Sequence, residues 1–288
     1  MVIDAHIHVQ PWSMFTPEAS ARMAAGRQDL ESIREICGDP DALLRFLDRE
    51  GVDRAVLVNY VSPDIIGFGD EVNEWVGTYC KGHEDRLIAM GGVHPRLSRD
   101  PVGDLERIVE RHGIRALKLH PPHQLIHPNA YRDGGARPGL ARVYEKAQQL
   151  GLPVLFHTGT SVFPRARNRY GDPMDLDDVA VDFPNLKIVM AHGGRPLWME
   201  TCFFLLRRHP NVFMDISGIP PKSLLTYFPR LVEVADQTMF GTDWPGPGVP
   251  GVGSNVREFR ALPLPDDAKE AILWRTATKV YGEASTPK

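Results

Sequence analysis

Cysteine is scarce in this chain. The three present, Cys37, Cys80 and Cys202, are odd in number and far apart, which leaves no disulfide framework and no paired zinc-binding spacing. That usage suits a reducing cytoplasm. No stretch reaches the roughly 18 uncharged apolar residues that a membrane span needs. The opening residues MVIDAHIHV carry Asp4, His6 and His8 and so do not read as the apolar core of a signal peptide. Basic charge in excess is lacking too. Lys and Arg number 33 against 37 Asp and Glu, a net −4, so no bulk field points to nucleic acid. Neither nucleotide-binding signature, GxGxxG after a strand nor the phosphate loop GxxxxGK[ST], is expected in the chain. No linker, low-complexity tract or long internal repeat divides the chain.

What is present is an ordinary globular mixture: 288 residues, 42% hydrophobic and 24% charged, enough apolar surface to offset the entropy of ordering. A prior of about 150 residues per domain allows two domains, but one α/β barrel commonly takes about 250 or more. Eight apolar, β-branched runs predict strands at Val2–Val9, Ala55–Tyr60, Ile88–Val93, Arg115–His120, Pro153–Thr158, Lys187–His192, Val212–Ser217 and Met239–Asp243. Helical patterns separate them, among them Pro40–Glu50, Asp70–Gly82, Pro101–His112, Pro138–Leu150, Arg195–His209 and Pro221–Ala235. Gly51, Gly113 and Gly151 stand where helices stop.

Strands alternating with helices imply parallel pairing through right-handed crossovers. Eight of them, with no edge strand left over, predict a closed (β/α)8 TIM barrel forming one domain over residues 1–288; an open doubly wound sheet is the runner-up. Three long connections, Gln10–Asp39, Pro121–Arg137 and Gly159–Asp172, all follow strands, as does the Pro- and Gly-rich Trp244–Gly253. In a barrel they gather at the C-terminal rim, where active sites sit.

Strand period two places Asp4, His6 and His8 on one face of the first strand and Ile3, Ala5, Ile7 and Val9 on the other. The apolar set then suits the helices, and the polar set faces the barrel interior. Two imidazoles at i and i+2 can serve one metal ion, although a solvated strand end explains HxH alone. Other strand ends change the weighing. His157 ends the fifth strand, His192 the sixth and Asp243 the eighth. Imidazole and carboxylate suit zinc and similar divalent ions, so a metal site outweighs five unrelated structural residues.

These motifs, IDAHIH, FHTG, AHGG and GTDWP in strand order, resemble those of the amidohydrolase superfamily, within its branch of TIM-barrel metal-dependent hydrolases that also holds aminocarboxymuconate-semialdehyde decarboxylase. The resemblance spans nearly the whole chain. It implies that His6, His8 and His157 bind a divalent metal, zinc first among candidates, and one ion rather than two. Asp243 then either binds the metal or takes a proton from its water. His192 acts in acid–base chemistry or binds a second ion. Lys118, in ALKLHPP, matches the place where two-metal members carry a carboxylated lysine. It counts as a ligand only in that case, and otherwise as an ordinary cation.

Arg195, His120 and Trp244 are candidate substrate contacts. His123 and His127 read as solvated loop residues, and Asp215 as a group that could orient a ligand from behind. The implied function is a metal-dependent hydrolase of a small, carboxylated or cyclic molecule with an ester, lactone or amide bond. Asp243 accepts the proton of the attacking water, and His192 stabilises or protonates the developing oxygen. Two alternatives stand beside it: a non-oxidative decarboxylase of an aromatic or unsaturated acid, and a catalytically silent binding barrel. The partners implied are a small-molecule substrate and, as in many relatives, further copies of the chain, with neither nucleic acid nor membrane.

Overall fold

Runs such as RAVLV and VLFH are apolar on both faces. Strands walled by helices outside and by a packed interior inside require that composition. In the computed structural model, which describes residues 1–132, 135 and 137–283, they form β1 (Ile3–Ile7), β2 (Arg54–Val58), β3 (Leu87–Gly91), β4 (Ala116–Leu119), β5 (Val154–His157), β6 (Ile188–Ala191), β7 (Val212–Asp215) and β8 (Thr238–Met239). All seven successive pairings are parallel and follow chain order. The ends meet through Ala5 N–H to the Phe240 carbonyl at 2.9 Å, Asp243 N–H to that of His6 at 2.8 Å, and His8 N–H to that of Trp244 at 2.7 Å. The chain is a single (β/α)8 TIM barrel.

The helices expected over Pro40–Glu50, Asp70–Gly82, Pro101–His112 and Pro138–Leu150 form close to those bounds, and the one expected from Arg195 starts at Met199. Beginning at the first connection, the helices are α1 (Pro17–Ala24), α2 (Leu30–Gly38), α3 (Pro40–Glu50), α4 (Glu71–Cys80), α5 (Pro101–His112), α6 (Pro121–Gln124), α7 (Pro138–Gln149), α8 (Asp175–Asp182), α9 (Met199–Arg208), α10 (Pro221–Tyr227), α11 (Val252–Arg260), α12 (Asp266–Glu270) and α13 (Thr276–Tyr281). Side-chain caps at Thr16, Asp39 and Asp100, each followed by proline, start α1, α3 and α5. Gly51, Gly113 and Gly151 adopt left-handed backbone at the predicted stops.

Five expectations need correction. The Gln10–Asp39 connection is not a plain loop, because α1 and α2 form within it. The Pro121–Arg137 connection carries α6, while its positions 133, 134 and 136 lie outside the described residues. The helix expected over Pro221–Ala235 breaks near Pro229, where a proline cannot continue the ladder, and resumes as a 3-10 segment at Leu231–Gln237. The spacing GxGxxG does occur, as GPGVPG at 246–251 between β8 and α11. Pro247 and Pro250 lack the N–H groups that such a loop offers a phosphate.

The fifth correction concerns β1. Ile3 and Ala5 pack in the barrel interior with Val56, Val58, Ile88 and Met90, whereas Ile7 and Val9 pack outside with Ala55 and Leu57. The cause is a register shift. Asp4 pairs with Ala55 and Ile7 with Leu57, so β1 spends three residues where β2 spends two. One extra residue reverses the alternation, and His6 and His8 face one another on the inner side beyond it.

Asp4 instead serves the seam. Its carboxylate accepts from Thr242 Oγ1 at 2.6 Å, Thr242 N–H at 3.0 Å and His6 N–H at 3.1 Å. Burial nonetheless pushes its pKa up to about 7. Thr242 Oγ1 also accepts from Trp244 N–H at 3.1 Å. Thr242→Val leaves these buried partners unsatisfied, so it should lower stability by about 1–3 kcal/mol, read as an unchanged urea m-value with a reduced midpoint.

Candidate active site

The C-terminal ends of the strands surround a cavity of about 100 Å³. Its polar side is built on strand ends, which hold side chains more firmly than free loops do. β1 delivers His6 and His8, whose Nε2 atoms lie 3.3 Å apart. Beyond β8, Asp243 places Oδ1 at 3.1 Å from His8 Nε2 and 3.7 Å from His6 Nε2.

Each imidazole is held from behind. His6 Nδ1 lies 2.8 Å from Asp215 Oδ2, and His8 Nδ1 3.1 Å from the Val58 carbonyl. The Gln10 amide nitrogen approaches the same His8 nitrogen at 3.2 Å. A carbonyl can only accept; Val58 takes the Gln10 amide at 3.4 Å and, when His8 Nδ1 is protonated, that ring as well. Both Nε2 lone pairs and one Asp243 oxygen then converge, and that donor set fits a divalent cation.

Among the described residues, a second set of ligand atoms within 4.8 Å of one another joins His6, His192 and Asp215. His157 belongs to neither set. Its Nε2 is buried without a hydrogen-bond partner on the cavity wall, with its ring 4.8 Å from that of His192. Lys118 is 1% exposed, lines the same cavity, and its Nζ has no partner. Burial pushes its pKa down to about 8, against the pull of Asp215 and Asp243.

Burial holds the pKa values of His120, His157 and His192 well below the imidazole range. Asp243 shows the reverse outcome. Burial raises its pKa, but His8, His6 and Arg195 more than offset that and hold it at about 2.

Backbone strain marks the same residues. His192 and Asp243 have φ of 63° and 67°, a region that costs most side chains about 1–3 kcal/mol. His192 N–H is anchored on Asp215 at 3.0 Å and Asp243 N–H on the His6 carbonyl at 2.8 Å.

Arg195 lines the cavity as expected, with Nη2 at 3.2 Å from Asp243 Oδ2 and a buried Nε that lacks a partner. His120 also lines it, stacked between His157 at 3.9 Å and His123 at 3.6 Å. His123 is therefore not the solvated loop residue expected. It is 1% exposed and bonded to Tyr60 Oη at 3.1 Å and Ser161 Oγ at 2.7 Å, and burial pushes its pKa down to about 3. His127 is as expected, half exposed and paired with Asp175.

Trp244 does not meet the cavity. Its indole stacks on Phe46 of α3 at 4.7 Å in the outer core, because the bridge from its backbone to Ile7 sets which way it points. The apolar mouth comes instead from Phe15, Met23, Ile66 and Phe163. Sequence reasoning passed over Tyr60 and Ser217. Each is the last residue of a predicted strand, two beyond the end of the observed one, and that placement was the signal available.

A family model for amidohydrolases matches residues 3–282. The chain belongs to the amidohydrolase family. A 2-amino-3-carboxymuconate-6-semialdehyde decarboxylase from Dictyostelium discoideum is 22% identical, over 97% of this chain and 91% of its own. An uncharacterized TIM-barrel protein from Bordetella bronchiseptica has a TM-score of 0.78 at 21% identity, over 98% of this chain and 99% of that one. A protein designated a probable 2-pyrone-4,6-dicarboxylic acid hydrolase from Acinetobacter baumannii has a TM-score of 0.67 at 16% identity, over 98% and 99%. The two structural likenesses show the shared fold.

Gly218 lets this amidohydrolase pack Arg195 beside Asp243. A Cβ there would lie 2.5 Å from Arg195 Nη2 and 2.7 Å from Nε, and its φ is +65°. Gly218→Ala should cost about 1–2 kcal/mol for the left-handed backbone, seen in urea unfolding, with a smaller loss in an Arg195→Ala background where nothing remains to be crowded.

Proposed function

We propose that this chain is a hydrolase of a small, carboxylated molecule with an ester, lactone or amide bond, working with one divalent ion, zinc by the chemistry of its donors. The observation that carries this is the convergence of His6 Nε2, His8 Nε2 and Asp243 Oδ1 at the wall of a cavity that also receives Lys118 and Arg195. His6, His8 and Asp243 would hold the ion, with His157 a further candidate ligand on the cavity wall. When bound, such an ion supplies Lewis acidity and an acidified water.

The chain's own groups do the rest. Asp243 keeps an oxygen on the imidazole side and is ionised, so it can take a proton from attacking water. Arg195, on its other oxygen, steadies the carboxylate before and after that transfer. Lys118 and Arg195 put positive charge where a carbonyl oxygen gains negative charge, which lowers the barrier only as far as the interaction strengthens in the transition state. The same cations also attract a substrate carboxylate. His120 and Tyr60 form the wall against which a flat substrate body would rest.

Lys118 acts in this reading as a plain amine rather than a carbamate, consistent with one ion. A second reading is non-oxidative decarboxylation, favoured by the decarboxylase from Dictyostelium discoideum. Cations that stabilise a carboxylate ground state oppose loss of carbon dioxide from it, so hydrolysis ranks first.

Elemental analysis of protein purified without chelator should find about one divalent ion per chain. Two ions would require a carboxylated Lys118, and none in a folded sample would return the silent barrel. On a panel of lactones, esters and unsaturated acids, turnover should place ¹⁸O from labelled water in the product without releasing carbon dioxide. Asp243→Asn should reduce that turnover by about 10²–10⁴-fold in a folded protein.

A further inference from the structure

We propose that one buried carboxylate, Asp215, fixes the tautomers of two imidazoles, His6 directly and His192 through Ser217, so that both offer a bare Nε2. This rests on the reading above only in treating the Nε2 side of His6 as the metal side.

Asp215 is fully buried at the end of β7. Its Oδ2 meets His6 Nδ1 at 2.8 Å. Its Oδ1 accepts from His192 N–H at 3.0 Å, from Ser217 N–H at 3.1 Å and from the Ser217 hydroxyl. With donors on every side, the carboxylate gives no proton to any of them. His6 must therefore carry its proton on Nδ1.

The Ser217 hydroxyl spends its only proton on Asp215 and presents a lone pair to His192 Nδ1 at 2.8 Å. The Ser217 carbonyl lies 3.1 Å from the same nitrogen and also can only accept. His192 Nδ1 is thus protonated as well. Its role in the resting protein is to accept a proton at Nε2, and it becomes a donor only after taking one.

Asp215→Asn separates the two imidazoles. The side-chain amide keeps nearly the same volume, and three donors on the Oδ1 side oblige its carbonyl to stay there. Its NH2 then faces His6 Nδ1 and drives the proton to Nε2, while His192 still sees Ser217 unchanged.

The test is long-range ¹H–¹⁵N correlation of the metal-free protein, with His6 and His192 assigned from His6→Gln and His192→Gln spectra. In the wild type both rings should be Nδ1–H. In Asp215→Asn, His6 should switch to Nε2–H with His192 unaltered, and zinc affinity should fall about 10–100-fold. A wild-type His6 or His192 protonated on Nε2 alone would overturn the proposal, as would a folded Asp215→Asn protein that keeps His6 as Nδ1–H. Should that variant not fold, the wild-type tautomers decide the matter alone. Nδ1–H tautomers in a wild type that binds no zinc would support the tautomer assignment and remove the metal reading instead.

Discussion

Two imidazole nitrogens 3.3 Å apart, with a carboxylate oxygen 3.1 Å from one of them, are lone pairs aimed at a common point. In a buried setting that arrangement is unfavourable unless a positive charge joins them. The surroundings oppose the simplest relief, which is to turn a ring or move a proton. Asp215 holds the far side of His6 and the Val58 carbonyl that of His8, while Arg195 takes the other oxygen of Asp243. Strained backbone at Asp243 and His192 is retained by hydrogen bonds to neighbouring strands. Much of the polar structure at this end of the barrel reads as bracing for one point in space.

The electrostatics around that point are divided by residue type. Burial keeps His120, His123, His157 and His192 neutral, so the histidine-rich wall contributes stacking surface and lone pairs rather than charge. Positive charge comes from Arg195 and Lys118. Long side chains from above complete the enclosure. Arg22 of α1 donates to the Val162 carbonyl at 2.7 Å, and Arg27 reaches the Pro245 carbonyl at 3.1 Å. The helix that brings Met23 to the cavity and the turn that follows it are thereby tied to connections from both the fifth and the eighth strands.

Most of the architecture was legible because the signals were local. Apolar runs, helix periodicity and the stop glycines at 51, 113 and 151 each reflect short-range rules, and together they placed all eight strands. The grouping of His6, His8 and Asp243 followed from strand-end positions once a barrel was inferred. Harder to read was anything set by register between strands. The extra residue in β1 leaves no mark in IDAHIH, since period two predicts the same inward histidines with Asp4 beside them and Ile3 and Ala5 opposite. Trp244 and His123 were misjudged for a related reason. Loop residues next to a proline have directions fixed by distant neighbours, Phe46 in one case and Tyr60 and Ser161 in the other. Ser217 is an ordinary serine in sequence and gains its meaning only from Asp215 beside it.

The seam between β1 and β8 also has a consequence for how the molecule comes into being. His6 and His8 leave the ribosome more than two hundred residues ahead of Asp243. The hydrogen bonds that close the barrel, from Ala5 to Phe240 and from Asp243 to His6, join the same two ends. No nascent chain short of the eighth strand can assemble the convergent donor set. A cation bound there ties the first strand to the residues just after the eighth, across a loop long enough for closure entropy to be large. Occupancy of the site therefore reports an eighth strand in place and a sealed barrel together.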